Sequence, residues 1–373
     1  MKNFKDKKLA ILGASYLQKP LIQKAKKLNI EVHCFAWEEG AVCKNMVDYF
    51  YPISVLDKNS ILEVCKKVNI DGIVSIASDI VVPIWAYIAS EMNLVSNSLD
   101  VATICSNKYL MRSKLSTSSL SRPKFTSVNE GNVSLLFDKI KELNFPLIVK
   151  PVDRSGSRGV TKVLNTEEIL KATELAIDAS LIGEAIIEEF VVGKEFSVES
   201  ISFNDEHRIL AITEKVTSGA PYFVEIEHHQ PARISEQLKA DVCSVTQKSL
   251  KALGIENGAS HTELLITANS EIYIVEIGAR MGGDFIGSHL VELSTGFDYL
   301  KGVISCALNI PQERNLELEN NKSGVFFLTK DNNKNDILKN KDLSCVEIKE
   351  GEVDLNKIKN SSERLGYLIY KSE

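Results

Sequence analysis

The chain has 373 residues, 44% hydrophobic and 25% charged, the make-up of a folded globular protein with room for two or three domains. A net charge of −6 argues against a broad basic surface for nucleic acid, while leaving local lysines free to meet an anionic nucleotide. The seven cysteines are scattered without a CxxC pair, and no stretch reaches the ~18 uninterrupted apolar residues of a spanning helix; a cytoplasmic protein with reduced thiols and no membrane segment is expected.

Residues 7–100 alternate strand and helix: KKLAILG, a helix over Pro20–Leu28, EVHCFAW, a helix over Ser60–Val68, then DGIVSIAS. This rhythm predicts a parallel sheet covered by helices on both faces. The apolar run Leu9–Leu12 stops at Gly13, as a strand does and a signal peptide does not. The turn Gly13–Gln18 lacks GxGxxG spacing, which argues against a dinucleotide site. Ser15, Ser78 and Asp79 fall at strand ends, where open α/β sheets form their ligand crevices.

SNKYLMRSKL follows as a polar helix with Lys108 and Arg112 on one face, read as a solvated surface, and Arg122-Pro123 breaks the chain. The strand FPLIVKPV ends in Lys150, placed to reach a phosphate. Asp153–Val160 then carries two glycines, serines and arginines, a loop able to wrap phosphates with backbone N–H groups although it is not a P-loop. In AIIEEFVVGKEFSVE two strands are expected around a turn at Gly193. His228 and His229 point to opposite sides of an extended chain, so one of them is free to contact substrate but they do not chelate one metal together. Helices are expected over 235–253 and 291–308, and 312–373, with an Asn/Lys/Asp-rich run at 331–342, reads as a small capping β-lobe.

The segment with the most chemistry is GASHTELLITANSEIYIVEIGARMGGD, Gly258–Asp284, a β-hairpin by its two apolar runs around Ala-Asn-Ser. With Asn269 and Ser270 as the turn, Glu263 faces Glu276, and opposed residues lie roughly 4.5–5.5 Å apart at Cβ, where like charges repel unless neutralised. A divalent cation with hard oxygen ligands, Mg²⁺, would do so. Strict alternation puts Leu265, Ile272 and Ile274 on the carboxylates' face, and Leu264, Ile266, Tyr273, Val275 and Ile277 on the other.

The ordered set SNKYLMR, FPLIVKP, SGSRGV, IEEFVVGKEFSVE, HHQPA, GASHTE and VEIGARMGG resembles the ATP-grasp superfamily, in its carboxylate–amine (L-amino-acid) ligase branch, over nearly the full chain. The resemblance implies an α/β chain: an N-terminal Rossmann-like parallel-sheet domain at 1–100, a small lid subdomain at 101–182, and a large subdomain with a C-terminal β-rich lobe at 183–373. It implies ATP and Mg²⁺, with Mn²⁺ as a substitute, and small-molecule carboxylate and amine substrates; a homodimer is compatible with it. By position, Lys108 and Lys150 match the nucleotide-binding lysines, Ser155, Gly156, Ser157, Gly159 and Val160 the lid, Glu188, Phe190 and Val191 the adenine-reading hinge strand, and Glu195 the ribose ligand. Glu263 and Glu276 match the Mg²⁺ pair and Arg280 the arginine beside the transferred phosphate; His228, His261, Gly282 and Gly283 are substrate-side candidates. Many members carry Asn two residues after the second glutamate, where this chain has Gly278. The implied reaction is amide formation through an acylphosphate. A bicarbonate-phosphorylating enzyme and a non-catalytic nucleotide-binding regulator are the rival readings.

Overall fold

The computed structural model describes residues 4–118, 120–219, 223–311, 317–329, 337, 339, 343–351 and 361–372. The first unit comprises β1 (Lys8–Leu12), α1 (Lys19–Lys27), β2 (Glu31–Phe35), β3 (Tyr49–Tyr51), α2 (Lys58–Val68), β4 (Gly72–Val74) and α3 (Val82–Glu91). Its strands are parallel in the order β3-β2-β1-β4, as the βαβα rhythm requires. Pro20 opens α1 and Asp57 caps α2 through Ser60 N–H, so both helix starts are written in the sequence.

Two short helices, α4 (Leu99–Cys105) and α5 (Lys108–Leu115), lead out of this unit. Asn107 caps α5 by accepting from Leu110 N–H at 3.0 Å. Arg112, expected on a solvated face, is instead 1% exposed, because α5 packs against the large sheet.

The small sheet contains β5 (Phe125–Asn129), β6 (Leu147–Pro151), β7 (Thr161–Val163) and β8 (Glu184–Glu189), in the order β5-β8-β6-β7, backed by α6 (Leu136–Ile140) and α7 (Thr166–Ala179). It has its own core of Val128, Leu147, Val149, Ile169, Ala176 and Ile187. The unit therefore runs to Glu189, past the expected boundary at 182, while α4 and α5 pack elsewhere.

The large sheet is antiparallel, in the order β13-β12-β9-β10-β11-β14-β16-β15. It is built from β9 (Lys194–Phe203), β10 (Glu206–Thr217), β11 (Glu225–Gln230), β12 (Gly258–Ile266), β13 (Ile272–Gly278), β14 (Lys322–Leu328), β15 (Ser344–Glu350) and β16 (Gly366–Ser372), with α8 (Glu236–Leu253), α9 (Val291–Thr295) and α10 (Tyr299–Ala307). The expected hairpin at Gly193 is not one: β8 and β9 belong to different sheets, and 190–193 is the passage between them. Gly193 suits that passage because a Cβ there would lie 2.8 Å from Ile266 O. Among the described residues the C-terminal strands extend the large sheet beyond β11 and form no separate lobe; of the Asn/Lys/Asp-rich run at 331–342, all but 337 and 339 lies outside the described residues. The helical span expected over 291–308 is split at Gly296, φ +71°, into α9 and α10.

The first unit and the large sheet share their cores. Leu12, Ile73 and Trp85 pack in one cluster with Met111, Val198, Leu264 and Ile277, and Leu9 and Ile11 in another with Met281, Tyr299 and Ile304. No helix among the described residues is long and apolar enough to cross a membrane.

Candidate active site

A cleft of about 970 Å³ opens where the three units meet. From the small sheet, β6 delivers Lys150 and β8 delivers Glu188, both buried. Lys150 Nζ lies 2.7 Å from Glu188 Oε2, and Arg112 Nε donates to Glu188 Oε1 at 2.6 Å. Burial alone raises the Glu188 pKa, but the two cations outweigh it and hold the carboxyl at about 2. Both oxygens are thus engaged within the protein, which corrects the expected reading of adenine through the Glu188 side chain; the chain continues past it along the cleft wall. There Glu189 N–H donates to Lys124 O and Phe190 N–H to Pro146 O, leaving Val191 at the open edge. Phe190 and Val191 line the cleft, and Lys162 Nζ sits 3.9 Å from the Phe190 ring centroid.

Ser155, Gly156, Ser157 and Val160 line the cleft together with Arg158. Gly159 does not. A Cβ at Gly159 would lie 2.8 Å from Ala179 Cβ and 2.9 Å from Pro151 Cγ, so this glycine lets the loop pack on α7.

On the large sheet, Glu263 and Glu276 pair directly, by a route the sequence reading did not anticipate. The turn is Thr267–Glu271, closed by Thr267 N–H to Glu271 O, so Ile266 pairs with Ile272 and Leu264 with Ile274. Val275 of β13 then bulges out unpaired, so that the consecutive β12 residues Glu263 and Leu264 pair with Glu276 and Ile274, which shifts the register by one and brings the glutamates together. It also corrects the faces: Ile272 and Ile274 join Leu264 and Ile277 in the core, and Tyr273 joins Leu265 in the cleft. Arg112 Nη1 donates to Ile274 O and Nη2 to Val275 O at 3.1 Å, covering carbonyls of the bulged edge strand.

Each glutamate already faces a buried ammonium. Lys215 Nζ of β10 lies 2.7 Å from Glu263 Oε1 and also pairs with Glu225, while Lys108 Nζ lies 3.0 Å from Glu276 Oε1 and donates to Arg154 O at 2.7 Å. Burial opposes the charge on Lys215, yet its carboxylate neighbours raise its pKa well above the ordinary lysine value. Repulsion between the glutamates is therefore relieved without a metal. The donor set itself, two opposed carboxylates in a cleft, still fits Mg²⁺, a hard cation bound through one or two carboxylates plus substrate phosphates.

His261 stands between Glu199 and Glu263: Nδ1 pairs with Glu199 Oε1 and Nε2 lies 3.3 Å from Glu263 Oε1. Burial lowers its pKa, but these carboxylates raise it to about 9. Gly282 N–H donates to Glu199 Oε2 at 3.0 Å, and a Cβ at Gly282 would lie 2.7 Å from His261 Nδ1. Gly282 thus serves this buried network and lies outside the cleft lining, whereas Gly283 lines it. Glu195 faces Lys215 across the β9–β10 pair, and burial, reinforced by Glu263 and Glu225, raises its pKa to about 7.

Arg280 lines the cleft and is gripped by Asp79: Nε to Oδ1 at 2.8 Å and Nη2 to Oδ2 at 2.6 Å. His228 is wholly buried against Phe327, behind Glu225, and is absent from the cleft lining, so its expected substrate contact is corrected. Glu225, Asp284 and Arg364 occupy that wall instead, with Arg364 Nη1 on Asp284 Oδ2 at 2.7 Å. Sequence reasoning missed these three and Lys215. The one available signal was Lys215 standing alone in the strand-like run ITEKVT.

A family model described as "ATP-grasp domain" matches residues 143–288. The chain is 30% identical over 300 residues, 78% of its length and 71% of the relative's, to a formate-dependent phosphoribosylglycinamide formyltransferase of Prochlorococcus marinus subsp. pastoris (strain CCMP1986). This chain belongs to the ATP-grasp family. It is also similar to alanine–anticapsin ligase of Bacillus subtilis (strain 168), 24% identical over 277 residues, 64% of this chain and 57% of that protein. Of a second P. marinus formyltransferase, from strain MIT 9515, the matched region spans 64%. The solved L-amino acid ligase from Bacillus licheniformis superposes with a TM-score of 0.83 at 22% identity, over 99% of this chain and 94% of that one, which establishes the shared fold of an N-terminal parallel-sheet unit joined to an ATP-grasp pair.

Proposed function

We propose that this ATP-grasp protein is an ATP- and Mg²⁺-dependent ligase that joins a carboxylate to an amine through an acylphosphate, with amino acids as its substrates. The observation that carries the reading is the convergence of Lys108, Lys150, the 155–158 loop, the 190–191 hinge, the Glu263–Glu276 pair and Arg280 on one cleft of about 970 Å³. That volume sits near the top of the roughly 300–1,000 Å³ range of small-molecule sites and suits a nucleotide with a second ligand beside it. The names of the relatives agree: one is formate-dependent, another is an alanine–anticapsin ligase, and ADP complexes occur among the solved neighbours.

A carboxylate does not acylate an amine at neutral pH because oxide is too poor a leaving group, and phosphorylation supplies a good one. Lys108 and Lys150 bind and neutralise the nucleotide phosphates, while the loop at 155–158 covers them with backbone N–H groups. The hinge backbone at 190–191 holds adenine, and Glu195 hydrogen-bonds the ribose. Glu263 and Glu276 hold Mg²⁺, which when bound stabilises charge on the transferring phosphoryl group. Arg280, whose Nη1 also donates to Met281 O at 3.3 Å, presents its cleft-facing guanidinium to the charge that develops on the phosphoryl oxygens and then on the tetrahedral centre.

The test is phosphate release from ATP and Mg²⁺ against panels of amino acids, alone and in pairs, with bicarbonate as a separate arm. Release that needs an acid and an amine together, yields the amide, and disappears in a folded Glu276→Gln variant is expected. Release driven by bicarbonate alone, or undiminished in Glu276→Gln, would overturn the reading.

A further inference from the structure

The loop after β4 reaches across to the end of β13 and meets the stretch that carries Arg280. Ala77 N–H donates to Met281 O at 3.1 Å, and Ala77 itself holds φ +60°, a left-handed conformation uncommon for a residue with a Cβ. Two residues further on, the Asp79 carboxylate takes the Nε–Nη2 edge of Arg280, and the two side chains are only 14% and 10% exposed. Gly278 forms the wall behind this pair. A Cβ there would lie 2.6 Å from Asp79 Oδ1 and 3.2 Å from Arg280 Cζ, so any side chain at 278 would displace the carboxylate from the guanidinium. Glu276 and Glu199 also act on Arg280 electrostatically.

We infer that Asp79 is a positioning residue: by holding the Nε–Nη2 edge of Arg280, whose Nη1 donates to Met281 O at 3.3 Å, it fixes the guanidinium where it lines the cleft, and Gly278 is the glycine that this grip requires. The N-terminal unit thereby contributes to the chemical step without touching the reacting atoms, and position 278 is bare of a side chain where one would collide with Asp79. The inference rests on the role proposed above for Arg280.

The experiment compares kcat, KM for each substrate, ATP affinity by titration and thermal midpoint for Asp79→Asn, Asp79→Ala, Gly278→Ala, Asp79→Ala/Gly278→Ala and Arg280→Ala, the last also combined with Asp79→Asn. Misplacement of the guanidinium lowers kcat on the order of 10- to 100-fold in each Asp79 single variant and in Gly278→Ala, with ATP affinity retained. Gly278→Ala adds less than about twofold once Asp79 is alanine, and Asp79→Asn adds nothing once Arg280 is alanine, because residues acting through one another are not additive. Losses that multiply in these pairs, or ATP affinity and thermal midpoint falling in step with kcat, reduce Asp79 to a structural role and overturn the inference. Arg280→Ala with wild-type turnover would instead remove the Arg280 assignment on which it rests; an inactive Arg280→Ala beside a fully active Asp79→Asn would sink the Asp79 inference alone.

Discussion

Glu188 is 2% exposed, with one carboxylate oxygen on Arg112 and the other on Lys150. Truncating one partner of a buried ion network leaves uncompensated charge, so Glu188→Gln should cost roughly 3–5 kcal/mol of stability at neutral pH. The pKa falls from 4.5 to about 2 on folding, so this stabilisation is fully present above 4.5 and is lost as pH falls through about 2. Urea unfolding of wild type and Glu188→Gln from pH 7 to pH 2 should show their stabilities converging, whereas a pH-independent gap would dismiss the triad as the cause. The sequence placed Glu188 on the hinge strand, but nothing in it could show that both carboxylate oxygens are used internally, because Arg112 comes 76 residues earlier. Asp79 was legible as a strand-end residue and Arg280 as a catalytic candidate. Their pairing, 201 residues apart, was not.

The hairpin shows how an element can be legible in outcome and hidden in construction. Opposition of Glu263 and Glu276 followed from strand periodicity, yet the real turn is longer than Asn269-Ser270 and a bulge restores the register. Period-2 reasoning cannot see a bulge, so the faces of Ile272, Ile274 and Tyr273 came out reversed while the glutamates came out right. The same limit applied to Glu184–Gly193: two apolar strands around a glycine look like a hairpin whether they stay in one sheet or pass between two. The loop Ser155–Val160 was more legible as a loop, because its glycines are in view in the sequence. Gly156 and Ser157 hold φ of +69° and +59°, and Ser157 Oγ donates to Phe223 O at 3.3 Å, a contact from the loop to the large subdomain. Phosphate contacts would order such a loop, so amide exchange at 155–158 should slow severalfold with saturating ATP and Mg²⁺. Exchange indifferent to nucleotide would remove the loop from the phosphate site.

At the scale of the molecule, the three units are unequal partners. The N-terminal strands and the large sheet bury side chains in two common clusters, so neither can open without exposing apolar surface of the other. The small sheet has a cluster to itself and joins the rest through 190–193 on one side and the Pro123 region on the other, with Glu188 and Lys108 as polar ties. The sequence showed three segments but not this grouping, since shared cores depend on contacts between distant parts of the chain. Elements that share a core unfold together and a unit with its own core opens first. Native-state hydrogen exchange across low urea concentrations should therefore give β1, β4, β9 and β12 a single opening free energy equal to that of global unfolding. Amides of β5–β8 should exchange through a separate opening, with a smaller urea dependence because less surface is exposed. Nucleotide should raise the free energy of this second opening, since ligand bound across the cleft ties the small sheet to the large one. If β1 and β4 opened below β9 and β12, the N-terminal unit would be an appended domain, and the grip of Asp79 on Arg280 would have to be held by the loop alone.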